Sequence, residues 1–309
     1  MKTSRRNFFI SAALIAPRLR AQQQPTFSSE VKVVNVLATV RDKSGAIVRN
    51  LNKSDFRIFE EGRPQEIRYF SQETDLPLTI GLLVDTSLSQ VKVLEEERAA
   101  SYRFLDDVLR EGKDQAVVVQ FDQAIVIRQE LTSSHKDLQD TLALLDAPTA
   151  EQAANGSGTL LYDAVRTASI RVMRNQQGRK AFVILTDGVD EGSEVSLTDA
   201  IEAAQRADTL VYSILFSDAF YYGASLLGSH GKGVLQRLSR ETGGGYFEVS
   251  KKQTLGDIFT AIQEELRSEY SLGFVSDRPA THSGFRSLRV IVARKGLIVQ
   301  ARDRYYAET

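Results

Sequence analysis

The stretch Leu78-Thr79-Ile80-Gly81-Leu82-Leu83-Val84-Asp85-Thr86-Ser87-Leu88-Ser89 holds two patterns in succession. Residues 78–84 are a nearly continuous apolar run, which fits a central strand buried on both faces. The run stops at a carboxylate, and oxygen-bearing side chains then recur at every second position. Two more runs of the first kind follow. One is Ala116-Val117-Val118-Val119-Gln120-Phe121; the other, Ala181-Phe182-Val183-Ile184-Leu185, ends at Thr186-Asp187-Gly188. Shorter strands are expected at 125–127, 210–215 and 246–249. Between the strands, apolar residues fall at helical spacing: Phe104/Val108 and Leu105/Leu109 within 91–110, Leu138/Leu142/Leu145, and Leu161/Val165/Ala168/Val172. Further helices are expected over 197–207, from the end of a Gly/Ser/Tyr loop (217–233) to Thr242, and over 254–268. Strands alternating with amphipathic helices predict an α/β fold, a doubly wound, mostly parallel sheet covered on both faces.

Ligands of such a sheet bind beyond the carboxyl ends of the strands. Asp85, Ser87 and Ser89 lie at one such end and Asp187 at another, and Gly158-Thr159-Leu160-Leu161-Tyr162-Asp163 is a loop entering a helix. Alternation sends Asp85, Ser87 and Ser89 to one side while Thr86 and Leu88 face away. A hard dication such as Mg²⁺ takes oxygen ligands in near-octahedral order. Two carboxylates, Asp85 and Asp187, neutralise it formally. The hydroxyls of Ser87, Ser89 and Thr159 add oxygens without charge, and one octahedral position stays open. In the alternative arrangement Ser87 and Ser89 cap the following helix and Asp187 starts a turn.

Asp85-Thr86-Ser87-Leu88-Ser89, Gly158 to Asp163 and Leu185-Thr186-Asp187-Gly188 together resemble the von Willebrand factor type A (VWA) domain and its metal-ion-dependent adhesion site. The order of strands and helices over 77–268 agrees. The resemblance implies a Rossmann-like domain that holds Mg²⁺, with Mn²⁺ or Ca²⁺ as substitutes, on Asp85, Ser87, Ser89, Thr159 and Asp187. It also implies a protein partner whose exposed Asp or Glu completes the metal shell. The strands before the domain resemble a bacterial exported branch with an N-terminal β segment.

On either side of the domain the sequence reads as strands. In 28–73, four are expected: Val31 to Val40, Val48 to Leu51, Phe56 to Phe59 and Ile67 to Phe70, with turns at Asp42-Lys43-Ser44-Gly45 and Glu61-Gly62-Arg63-Pro64. In 269–309, three are expected: 270–274, 287–292 and 297–300. Seven strands suit a small sandwich, and a three-stranded sheet alone has little core. The two ends are therefore expected to pair as a second, smaller all-β domain, with the α/β domain inserted between them. Two separate β appendages are the alternative.

Composition is ordinary for a globular chain, with 42% hydrophobic and 26% charged residues. The absence of cysteine excludes disulfides, thiolate chemistry and cysteine-held metals. Ser4-Arg5-Arg6-Asn7-Phe8-Phe9, the apolar block to Ala16 and Ala21 follow the order of a twin-arginine export signal over 1–21, which predicts a periplasmic or secreted protein. A basic amphipathic tail is the alternative. Without 1–21, which hold five bases and no acid, 34 bases face 40 acids, a net charge of −6. That balance leaves no electrostatic footprint for nucleic acid, and the short apolar block does not span a bilayer.

Several features near the site allow two roles each. Asp163 is either a further ligand or a first-turn helix acid favoured by the dipole. Asp190, Glu191 and Glu194 either steer cations or form a solvated loop. Phe220-Tyr221-Tyr222-Gly223 is either a partner-binding rim or a padded connection. No catalytic serine, histidine pair or phosphate loop is recognisable. A metal-dependent binding module is thus expected rather than an enzyme. The alternatives are a hydrolase using the open metal position, which lacks an evident general base, and a structural protein whose site holds only water.

Overall fold

The computed structural model describes residues 32–72, 75–147, 149, 158–216, 226–278, 281 and 283–308. From Val33 onward the chain is one compact unit. The central sheet has six strands: β5 (Leu78–Asp85), β6 (Gln115–Phe121), β7 (Ile125–Thr132), β8 (Arg179–Thr186), β9 (Leu210–Leu215) and β10 (Tyr246–Glu248). Their spatial order is β10-β9-β8-β5-β6-β7. All neighbours are parallel except the β6–β7 pair. Every residue of β5 and of β8 is buried, as the apolar runs 78–84 and 181–185 require; Arg179 and Lys180 at the start of β8 are buried with them.

Helices cover both faces. α1 (Leu94–Val108), α2 (His135–Ala143) and α6 (Leu255–Leu266) share one core with Leu78, Ile80, Leu82 and Val84. Phe104 of α1 stacks on Phe259 of α6 at 4.5 Å between ring centroids. α3 (Leu161–Arg171), α4 (Leu197–Arg206) and α5 (Leu226–Thr242) share the opposite core with Leu83, Val119, Phe182 and Ile184. α5 starts eight residues before the end of the loop expected at 217–233, so Leu226 to Gly233 are helical. Phe220 to Gly223 fall outside the described residues. Chain order reverses between β5, which continues outward to β6, and β8, which continues to β9 and β10. The carboxyl ends of β5 and β8 therefore flank the switch point, where this architecture opens a crevice.

The two chain ends build the rest. β1 (Val34–Arg41), β2 (Phe56–Glu60), β3 (Arg63–Gln65) and β4 (Ile67–Ser71) precede the α/β part; β11 (Tyr270–Phe274), β12 (Gly284–Val292), β13 (Ile298–Ala301) and β14 (Arg304–Ala307) follow it. They interleave as two four-stranded antiparallel sheets, β13-β1-β11-β4 and β14-β12-β2-β3. Val36, Val40, Ile58, Leu272, Phe274 and Tyr305 share a core between them. The ends thus pair as expected, with eight strands instead of seven.

Two local expectations fail. Val48 to Leu51 is not a strand: the buried Tyr270 hydroxyl donates to Val48 O (2.8 Å) and accepts from Leu51 N (3.1 Å), taking the place of a ladder. Arg63 and Pro64, expected within the turn 61–64, instead belong with Gln65 to an edge strand. Its Pro64 is tolerated because one side of an edge strand needs no donor. The fourth C-terminal strand, β14, has its free edge closed by Gln205 of α4. That amide donates to Arg304 O (3.0 Å) and accepts from Tyr306 N (2.8 Å), standing in for a neighbouring strand.

Candidate metal centre

The site grows from the end of β5. Asp85 is 0% exposed. Its Oδ1 accepts from Ser87 N at 2.9 Å and its Oδ2 from Thr186 Oγ1 at 2.6 Å. The first bond curls the chain after the strand and brings the Ser87 and Ser89 hydroxyls to 3.1 Å from each other. The second ties β8 to β5, so that Asp187, next to Thr186, lies within the electrostatic reach of Asp85. Asp187 Oδ1 accepts from Val189 N at 3.0 Å. Burial pushes the Asp85 carboxyl up to about 7; the hydrogen bonds from Thr186 and Ser87 oppose the rise, and the charge of Asp187 adds to it.

Thr159 enters from a third segment. Its backbone bridges to Glu191 in both directions (2.9 and 3.0 Å), and Leu160 N donates to Asp122 O at 3.0 Å beyond β6. Thr159 is thereby fixed between the ends of β6 and β8. Among the described residues no hydrogen bond joins its hydroxyl to the other four predicted ligands. Thr86 does face away: its hydroxyl donates to Asp122 Oδ2 (2.9 Å) and accepts from Gln120 Nε2 (2.8 Å). Leu88 also points outward and is 47% exposed.

The acids around the site have structural partners. Asp163 Oδ2 accepts from Glu194 N (2.8 Å), so it pins the 190–195 loop rather than only answering the helix dipole. Asp190 Oδ1 accepts from Tyr162 N (3.0 Å) in the first turn of α3 and from Ser193 Oγ (2.7 Å). It is not a freely solvated loop acid. Among the described residues no group of three or more His, Asp or Glu side chains forms a further metal cluster.

Sequence reasoning missed three contributors. Thr186 was visible only as part of Thr-Asp-Gly, yet it is the bond between the two strand ends. Gly231 lets α5 touch the site loop: a Cβ there would lie 2.1 Å from Asp187 O, and one on Gly188, at φ +79°, would lie 2.5 Å from Gly231 O. Glu97 of α1 is 0% exposed, and neither of its carboxyl oxygens has a hydrogen-bond partner. Oxygens of two carboxylates and two adjacent hydroxyls, gathered at the switch point with no fixed positive charge bonded to them, suit a hard dication. The donor set fits the ion that the sequence motif implies.

Oxygen-bearing side chains at the switch point of a mostly parallel six-stranded sheet covered by helices on both faces define the class: a doubly wound α/β domain. The sequence profile of the von Willebrand factor type A domain matches residues 79–261, more than half of the chain, and the chain belongs to that family. No curated protein matches it in a search of whole sequences. Among solved structures it is similar to BatB from Bacteroides thetaiotaomicron, at 18% identity over 61% of this chain and 97% of that one, with a TM-score of 0.48. It is also similar to the VWA domain of the type V pili tip protein Mfa5 from Porphyromonas gingivalis (11% identity, 61% and 95% covered, TM-score 0.47). A third is proximal thread matrix protein 1 from the mussel byssus, described with a zinc-occupied MIDAS motif (14%, 68% and 50%, TM-score 0.49). Among the described residues no helix is long and apolar enough to cross a membrane.

Proposed function

We propose that this chain is a metal-dependent protein-binding module. Asp85, Ser87, Ser89, Thr159 and Asp187 would hold Mg²⁺, with Mn²⁺ or Ca²⁺ as substitutes, and an Asp or Glu of a partner protein would complete the shell. The observation that carries this reading is the state of Asp85. It is a fully buried carboxylate with no ion pair among the described residues, and the Ser87 and Ser89 hydroxyls are paired beside it. A buried charge without a partner is costly, and a bound dication relieves it. The ion supplies Lewis acidity toward a carboxylate; the protein's residues supply position. No residue at the site is placed as a general base, and binding rather than turnover is proposed.

Arg5-Arg6 and the apolar block after them support export by a twin-arginine-type signal, so the proposed site of action is the periplasm or the cell exterior. Affinity capture of envelope proteins with Mg²⁺ and with chelator tests the function. Capture that requires Mg²⁺ and vanishes with Asp85→Ala is expected. Capture that persists in chelator, or with that variant, would overturn it.

A further inference from the structure

Three consecutive glutamates open α1. Glu95 and Glu96 are exposed, as first-turn acids of a helix usually are, and Glu97 is 0% exposed. Gln90, Val93, Glu97 and Ser101 recur at helical spacing and are all buried. Around them the helix packs Leu94, Ala100 and Phe104 into the core shared with Val84 of β5. Within this apolar face runs a seam of orphaned oxygens: both of Glu97, Oε1 of Gln90 and the hydroxyl of Ser101 have no hydrogen-bond partner. The seam begins at the site itself, since Gln90 Nε2 donates to Ser89 Oγ at 3.3 Å.

Burial pushes the Glu97 carboxyl well up, and the negative charges of Asp85 and Glu96 add to the rise. Buried acids are ordinarily paired. An apolar side chain at position 97 would suit the packing of α1 better. Among the described residues nothing is hydrogen-bonded to the carboxyl of this acid, and a positive charge bound at Asp85 would act on both carboxyls.

We propose that Glu97 is a positioning residue for the metal ion, a third carboxylate behind Asp85 that strengthens the outer sphere of the site and raises its affinity for a dication. This rests on the metal-binding reading above. Outer-sphere partners of metal sites commonly change affinity 10- to 100-fold when removed. Glu97 should do so while destabilising the protein whenever the ion is absent, because a buried carboxyl without a hydrogen-bond partner is then left in the core.

Calorimetric titration of the full chain with Mn²⁺ and with Mg²⁺, paired with thermal unfolding in chelator, tests both halves. Wild type should bind one ion. Glu97→Gln should bind it about 10- to 100-fold more weakly, yet unfold at a higher temperature in chelator. Glu97→Met, which matches the apolar surroundings, should behave alike, and Glu96→Gln, whose exposed charge is screened by solvent, should change both quantities far less. Glu97→Gln binding as tightly as wild type would overturn the proposal while leaving the metal site intact. So would weakened binding in both Glu97 variants together with a lower unfolding temperature in chelator, which would mark damage to packing. A wild-type protein that binds neither ion would overturn the metal-binding reading itself, and the role of Glu97 with it.

Discussion

β5 has a carboxylate at each end, and the two are opposites. Asp114, just before β6, receives Leu78 N at the start of β5 (2.8 Å), Arg110 N (2.9 Å), Arg110 Nε (2.8 Å) and Arg267 Nη2 (2.5 Å). Asp85, at the other end, receives one backbone N–H and one hydroxyl and, among the described residues, no cation. Both are 0% exposed. Despite desolvation, the hydrogen bonds from Arg110 and Arg267 hold the Asp114 carboxyl far below the usual carboxylate range, whereas burial drives Asp85 to about 7. One end of the sheet is finished by the chain itself. The other is left electrostatically incomplete, and incompleteness of this kind marks functional sites more often than structural ones.

The comparison is broken most directly at its finished end. Asp114→Ala leaves Leu78 N and two arginines without their shared acceptor, so a loss of about 3–5 kcal/mol is expected in chemical denaturation. Asp85→Asn in chelator should cost far less than Asp114→Ala, because it removes a charge that nothing answers. A metal-free Asp85→Asn as unstable as Asp114→Ala would show the two ends to be alike. In the presence of ion the ranking inverts. Asp85→Asn should weaken Mg²⁺ binding by at least about 100-fold, on the order of 2.7 kcal/mol, while Asp114→Asn leaves the affinity of the folded fraction unchanged.

How much of this contrast was legible beforehand depended on where each residue's partner sits in the chain. Asp85, Ser87 and Ser89 announce themselves because their spacing is local and they follow an apolar run. Thr159 and Asp187 become legible only beside them, as ends of other elements. Asp114 carries no local mark, since one of its arginines is four residues away and the other lies on the far side of the inserted domain. Glu97 was hidden in a run of three glutamates, and only the packing of α1 against β5 singles out the third. The sandwich was legible as a count of strands, but the pairing partners were not. No strand was expected at β14, Arg304–Ala307, yet Tyr305 and Ala307 belong to the core between the sheets. Val48 to Leu51 misled because β-branched and aliphatic residues suit strands, while the Tyr270 hydroxyl takes up their backbone instead.

The two ends also separate along pH. In the metal-free protein Asp85 binds its proton more tightly folded than unfolded. Its contribution to stability is therefore full below the unfolded value near 4 and is lost as pH rises through about 7. Asp114 runs the other way: its contribution is present above the unfolded value and is lost as pH falls. Denaturation of the chelated protein from pH 4 to 8 should show stability declining in wild type and declining less in Asp85→Asn. Glu97 and Glu269, both raised by burial, share the sign of Asp85. The difference between wild type and variant is thus the measure of Asp85, together with its coupling to Glu97. Ion binding, which needs the ionised carboxylate, should tighten over the same rise in pH. A variant that declines as steeply as wild type would show that burial of Asp85 carries no electrostatic cost.

The smallest effect is expected at a contact that neither end of β5 shares. Gln205 joins the α/β domain to the β frame, with its amide bonded to Arg304 O, Tyr306 N and Glu241 O (3.0, 2.8 and 2.5 Å). Gln205→Ala frees the edge of β14, where solvent can replace part of what is lost, so about 1–2 kcal/mol of stability should go. Dication affinity should not move, because Gln205 lies on α4 and its partners are the end of α5 and the outer strand of the frame. If affinity falls as well, the frame and the metal edge are coupled, and the finished parts of the molecule do not merely carry the unfinished one but set its geometry.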